Sequence, residues 1–292
     1  SVKYDYDIVY VRAPRHGDEK RTKWADFSNP TRMEPGADLM LLRPDGTEEL
    51  LVSGKGGSVM DPYVSFDGEW VYFAKFIDEK HTGSDIHKIH VKTKKTVRLT
   101  DQTFTPNLGA APWSKDFRTA ENGKTSLQYG VFNLGPCPVP GGKVAFTSNR
   151  NAYAPPRGYP RQTMQLFIMD DPVGQAFQPD HQNERQAGKP DLRARGENID
   201  QIGFLNIACA LHPVILTDGR LIYSTLESHG THNSILWGIW SIHPDGTNWE
   251  PVVSAYWTGG APPAFHFQSQ LSDKSIIVEQ YYNLNNSGFG TF

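Results

Sequence analysis

The chain has 292 residues, with 29 Lys and Arg against 32 Asp and Glu and a net charge of −3. That balance, with no local basic run, excludes a nucleic-acid footprint, and no stretch of about 18 apolar residues exists to span a membrane as a helix. The 27 Gly, 21 Pro and 34 aromatic residues (Trp 7, Tyr 12, Phe 15) favour short strands and many turns over long helices.

In chain order, the first predicted strands are 8–11, 38–42 and 50–52, with the turn Arg43-Pro44-Asp45-Gly46-Thr47 between the last two. A pattern then repeats: a Pro-containing approach, a tight turn and an apolar strand. It reads Asp61-Pro62 to Asp67-Gly68 before 70–73, Gly135-Pro136 to Gly141-Gly142 before 144–147, and His212-Pro213 to Asp218-Gly219 before 221–224. A fourth version, Phe267-Gln268 to Asp273-Lys274, precedes 276–278. In the first three, Pro stands six positions before the turn Gly, and Gly there gives φ > 0 without a Cβ clash. A third strand follows at 85–91, 165–169 and 236–242, and an outer one at 96–99, 199–203 and 250–254.

Repeated four-stranded antiparallel units predict an all-β fold, a β-propeller. One domain spans 1–292, with blades near 1–58, 59–101, 133–204 and 208–255 and a partial fifth at 264–292. The first blade lacks its inner strand, and the fifth supplies two strands, so the expectation is a ring continued past Phe292 or completed by a partner. The turn-to-turn spacings of 74, 77 and 55 exceed the roughly 40–50 residues of a minimal blade, so the excess is insertion. Most of it falls between second and third strands (13–36, 77–84, 151–161, 227–233) or between blades (102–134, 256–263). These connections leave one face of a propeller, which is where function is expected. Besides 102–132, the insertion 172–198 stands apart, between a third and a fourth strand.

The repeats resemble the TolB-type (PD40) propeller family, whose blades carry a Ser-Pro-Asp-Gly turn before an apolar strand; Ser65-Phe66-Asp67-Gly68 and Thr217-Asp218-Gly219 approach it. A second resemblance covers 133–292. Its carriers are Gly130 through Pro138, Phe146-Thr147-Ser148-Asn149-Arg150-Asn151, Ala210-Leu211-His212-Pro213, Leu236 through Ile242, Phe265-His266-Phe267-Gln268 and Glu279 through Asn286. These are similar to the propeller part of hydrazine synthase alpha-subunit-like proteins. That resemblance implies an exported, periplasmic protein acting as a scaffold or interaction module in a multisubunit redox complex, with protein partners that include c-type cytochromes. The chain starts at Ser1, which fits a processed end, and it has no Cys-x-x-Cys-His for covalent haem.

Candidate chemistry rests on histidines. His212 and His266 fall on inner strands; His229 and His232 fall in a connection on the elaborated face. Imidazoles converging from neighbouring blades could hold one transition metal ion, Zn²⁺, Cu²⁺ or Mn²⁺. Cys209 precedes His212 in a Cys-x-x-His spacing and could join them or act as an activated thiol. Against this, His212 aligns with Asp61 of another repeat, which predicts a structural hydrogen-bonding role, and a lone cysteine is most often buried packing. Arg150 and Arg157 could bind a uronate beside such a metal in a polysaccharide-lyase-like enzyme. Among carboxylates, Glu227 lies beside that face, but none forms a fixed-spacing pair. The expected function is therefore an interaction module, with the metal-dependent enzyme as alternative.

Overall fold

The computed structural model describes residues 4–14, 35–76, 83–101, 131–151, 163–171, 199–204, 206, 209–227, 236–255, 264–281 and 288–291. Every regular element among them is a strand. The first sheet holds β1 (Ile8–Arg12), β2 (Asp38–Leu42) and β3 (Glu48–Val52). The second holds β4 (Ser58–Val64), β5 (Trp70–Phe76), β6 (Ser84–His90) and β7 (Thr96–Arg98). The third holds β8 (Asn133–Val139), β9 (Lys143–Ser148), β10 (Gln165–Asp170) and β11 (Ile199–Ile202). The fourth holds β12 (Ala210–Ile215), β13 (Leu221–Leu226), β14 (Trp237–Ile242) and β15 (Glu250–Val253). The last unit has β16 (Ala264–Gln270), β17 (Ile276–Tyr281) and β18 (Gly288–Thr291), and a single parallel bridge from β16 to β14 makes it continuous with the fourth sheet.

Within each sheet the strands meander antiparallel. Consecutive sheets stack face to face, and among the described residues the series does not close into a ring. The fold is all-β, with the blades of a propeller. One strand exceeds the sequence expectation: β18 adds a third strand to the last sheet, pairing Gly288 with Gln280 and Thr291 with Ile277. Its two glycines carry no strand signal in sequence, since Gly is depleted in strands.

The turns follow the sequence. Asp45, Asp67, Asp218, Asp245 and Asp273 each accept a hydrogen bond from the backbone N–H two residues on, the side chain capping the turn that the next Gly or Lys closes. Gly68 and Gly219 sit at φ 71 and 89, and Lys274 takes φ 72 where the pattern replaces Gly.

Between sheets the contacts are largely apolar. Leu39, Leu41, Val71 and Phe73 fill the first interface, Phe76, Phe132, Phe146 and Phe167 the second, Leu166, Tyr223 and Ile242 the third, and Ile222, Ile239, Phe265 and Val278 the fourth. Each such side chain taken from water contributes about 1.5–3 kcal/mol. A backbone seam accompanies them. Val59 N–H donates to Ala37 O (3.0 Å), Ser84 N–H to Val131 O (3.1 Å) and Ala210 N–H to Met164 O (2.8 Å), and Trp237 pairs with Ala264 in a parallel bridge. All four join the start of a third strand to the start of the next inner strand. They therefore lie on the rim where the long connections depart. The outer strands β3, β7 and β15 are three to five residues long and carry Glu48, Glu49, Arg98 and Glu250.

Candidate functional site on the inner rim

The inner strands β4, β8, β12 and β16 share a local distortion. Their ladders slip between Met60 and Tyr63, Leu134 and Cys137, Leu211 and Val214, and His266 and Ser269. In each case two residues oppose one, a β-bulge. The first bulge residue is left-handed every time: Asp61 at φ 54, Gly135 at φ 58, His212 at φ 53 and Phe267 at φ 52. The second is Pro62, Pro136, Pro213 or Gln268. A bulged position needs no ladder donor, so Pro is tolerated there. This explains the fixed Pro-to-Gly spacing: it marks the bulge, six residues ahead of the turn.

The four left-handed residues form a row across successive blades. Asp61 Oδ2 accepts a hydrogen bond from Gly135 N–H at 3.0 Å. A Cβ on Gly135 would lie 3.2 Å from Pro213 Cδ and 3.9 Å from His212 Cα. The His212 and Phe267 rings stand 4.4 Å apart. Gln268 donates through Nε2 to the carbonyl oxygens of Leu211 and His212, tying the fifth sheet to the fourth. Burial raises the Asp61 carboxyl to about 6, partly opposed by the Gly135 hydrogen bond. Burial, with His266 nearby, pushes His212 well below its ordinary value.

His266 lies one position before the bulge and is buried. Its Nδ1 lies 3.1 Å from Ser224 Oγ, which itself donates to Phe265 O at 2.5 Å. With the serine proton so committed, Nδ1 carries the imidazole proton. Burial takes His266 down to about 4, so the ring is neutral. Cys209 packs in the apolar cluster with Met164, Leu211 and Trp237, and both Cys137 and Cys209 are buried thiols. Thus His212 and His266 come from adjacent inner strands, while Cys209 faces apolar packing. His229, His232 and Arg157 lie outside the described residues, as do residues 102–130 and 172–198 of the two large insertions. Among the described residues no group of three or more His, Cys, Asp or Glu side chains is arranged to hold a metal.

Several polar groups near the elaborated face are committed to structure. Glu227 Oε1 accepts from Trp240 Nε1 (2.5 Å), and Oε2 accepts from Ser254 Oγ (3.0 Å) and Ala255 N–H (2.6 Å). That arrangement clamps the outer strand and leaves Glu227 no role as a general acid or base. Asp85 accepts from Thr100 Oγ1 (2.7 Å) and Arg98 Nη2 (2.6 Å). Arg150 is 1% exposed, sandwiched by Phe146 and Phe167, with Nη2 donating to Asn133 Oδ1 at 2.6 Å. Burial lowers it to about 9. Its closest polar contacts are thus neutral, so Arg150 acts in the described residues as a packed structural cation.

Sequence reasoning missed the row as a unit. It aligned His212 with Asp61, but Gly135 and Phe267 share no chemistry with them. The residue immediately before the sixth-position Pro was the available signal.

No protein-family model matches the sequence, and no curated protein matches it. Solved structures do. The tricorn protease aligns over 88% of this chain and 24% of its own, at 11% identity and a TM-score of 0.52. TolB from Acinetobacter baumannii aligns over 87% and 45%, at 12% identity and 0.49. A chain of the nidogen/laminin complex aligns over 84% and 68%, at 9% identity and 0.48. The chain therefore spans under half of the TolB and tricorn chains it resembles. At such identities the likeness to the tricorn protease is one of fold, a β-propeller.

Proposed function

We propose that this chain is an exported propeller, TolB-like in its blades, that serves as an interaction module of a periplasmic redox complex of the hydrazine synthase alpha-subunit-like kind. The observation that carries this reading is the asymmetry of the fold. The turns between first and second strands are tight, those after β4, β12 and β16 capped by their own Asp side chains, whereas nearly all the long connections depart from the seamed rim. A rigid scaffold displaying long connections on one face suits docking of protein partners, c-type cytochromes among them. No helix of the described residues is long and apolar enough to cross a membrane. Affinity isolation from the native envelope, with mass spectrometry and a visible spectrum, tests the reading. A defined assembly with a haem band is the expected result; a chain that elutes alone, without haem, would refute it.

One observation favours a second reading, a metal-dependent enzyme of the polysaccharide-lyase-like kind. His266 lies close enough to His212 to add to the lowering of its pKa, and burial keeps both rings neutral, the form in which imidazole ligates a metal. His229 and His232 would complete the ligand set, and Cys209 would join only by leaving its apolar cluster. Elemental analysis of the purified chain decides this: one equivalent of Zn, Cu or Mn supports it, and substoichiometric metal ends it.

A further inference from the structure

We propose that Tyr72 is a redox-active tyrosine: it gives one electron to an oxidised metal centre presented by a partner, while its phenolic proton passes to Asp171. The inference rests on the redox reading above for that oxidant alone, and it gives the interface between the second and third blades a part in the chemistry.

The groups are held across that interface. Tyr72 and Lys88 stand opposite each other in the β5–β6 ladder, so both side chains project from one face of the second sheet. Asp171 follows β10 of the third sheet and meets both. Tyr72 OH donates to its Oδ2 at 2.5 Å, and Lys88 Nζ donates to its Oδ1 at 2.5 Å. All three residues are buried, so the base that the phenol meets is a carboxylate and not bulk water. Trp70, two residues along the same face of β5, is half-buried and brings the site to the surface. The Lys88 ammonium lies 4.6 Å from the Trp70 ring centroid and 5.4 Å from that of Tyr72.

The chemistry follows from where a proton and a charge can go. Burial and the Asp171 charge push the Tyr72 phenol above its ordinary value, so at rest it keeps its proton. A phenol that has lost an electron is a strong acid and yields that proton to a base within hydrogen-bond reach. The Tyr72 O–H bond breaks, an O–H bond forms on Asp171, and the ring is left as a neutral radical. The metal centre is reduced by one electron. The positive charge that the protein gains rests on Lys88, no longer neutralised by Asp171, against two ring faces that stabilise a cation. Return of the electron from the metal centre reverses both transfers. Three other tyrosines show the contrast. Tyr223 is buried but donates to the amide oxygen of Asn206 at 3.1 Å, which is not a base. Tyr63 meets the Cys137 thiol and the Ile215 backbone. Tyr10 donates to Glu48, but at an exposed position where solvent takes the proton.

The test is flash oxidation of the whole purified chain by photogenerated tris(bipyridine)ruthenium(III), read by freeze-quench electron paramagnetic resonance. A tyrosyl signal that outlives those of exposed tyrosines is expected, formed at a rate independent of buffer concentration because the proton stays inside the protein. Tyr72→Phe should abolish it, while Tyr63→Phe and Tyr10→Phe keep it. Lys88→Met combined with Asp171→Asn removes both charges together and keeps an acceptor for the phenol; the yield of the long-lived radical should fall about tenfold or more for loss of the base. Should that double variant melt below the assay temperature, Tyr72→Phe and the buffer dependence of the unchanged chain decide. Absence of a long-lived signal, its survival in Tyr72→Phe, a rate that rises with buffer concentration, or an unchanged yield in a folded double variant would overturn the proposal. If it fails while the chain still isolates within a haem-bearing assembly, Tyr72 is a structural clamp and the redox-complex reading stands. A long-lived radical in a chain that elutes alone upholds the chemistry of Tyr72 and removes the partner proposed for it.

Discussion

The first two interfaces between blades are built differently. Between the first and second sheets, Leu39, Leu41, Val71 and Phe73 meet in an apolar layer, joined by the Val59–Ala37 hydrogen bond and by Ser58 Oγ accepting from Ala37 N–H. Between the second and third, apolar packing is joined by buried ions at both ends. At one end Lys88 Nζ meets Asp171 Oδ1 at 2.5 Å, and Tyr72 OH donates to Oδ2; the Lys88 ammonium also lies over the Trp70 ring at 4.6 Å. At the other, Asn133 links Ser84, Asp85 and Arg150. The chain explains the contrast. Only residues 53–57 separate β3 from β4, so the connection itself holds those blades together. Thirty-four residues separate β7 from β8, and a connection of that length fixes little. Directional, buried polar bonds supply the register that the short link supplies elsewhere.

The sharpest way to break the contrast is Lys88→Met. It leaves Asp171 buried without its cation, and stability should fall by about 3–5 kcal/mol in urea titration. The double change Lys88→Met, Asp171→Leu should recover most of that loss. If the single variant costs no more than a surface mutation, the ion pair does not set this interface. On the apolar side, Leu41→Ala should cost about 3 kcal/mol through its cavity, with no rescue by a charge change in its partner sheet.

Acid sharpens the comparison differently. His87 and His266 are both held near 4 by burial, against about 6.5 in an unfolded chain. The unfolded state thus binds more protons between those values, and stability is full above pH 6.5 and lost as pH falls towards 4. Asp61, raised to about 6, works in the opposite sense, gaining stability as pH falls from 6 towards 4. His212 is depressed by burial as well, and three histidines outweigh one carboxyl, so melting temperature should drop between pH 7 and 5, by an amount equivalent to at least about 2 kcal/mol. His266→Gln should flatten that profile. The smallest expected effect is Gly135→Ala: its φ of 58 and the 3.2 Å approach of Pro213 predict a loss of roughly 1–2 kcal/mol.

Blade strands were legible because their signals are local. The spacing of Pro62, Pro136 and Pro213 ahead of Gly68, Gly142 and Gly219 carried the repeat, and strands predicted at 70–73, 144–147 and 221–224 appear, slightly longer, as β5, β9 and β13. The candidate site was legible only in pieces. His212 was aligned with Asp61, yet their shared role depends on a left-handed backbone that four different residue types adopt. The Asp85, Asn133 and Arg150 network joins residues 17 to 65 positions apart, and no spacing rule reaches that far. Glu227 looked available for acid–base work because its three donors arrive from downstream, Trp240 on β14 and Ser254 and Ala255 just after β15.

The brevity and charge of the outer strands have a consequence for handling and for life in a crowded compartment. A long, flat, apolar border invites self-templating into fibrils. Here Glu48, Arg98 and Glu250 sit on borders too short and too ionic for that, so β3, β7 and β15 resist edge-to-edge pairing.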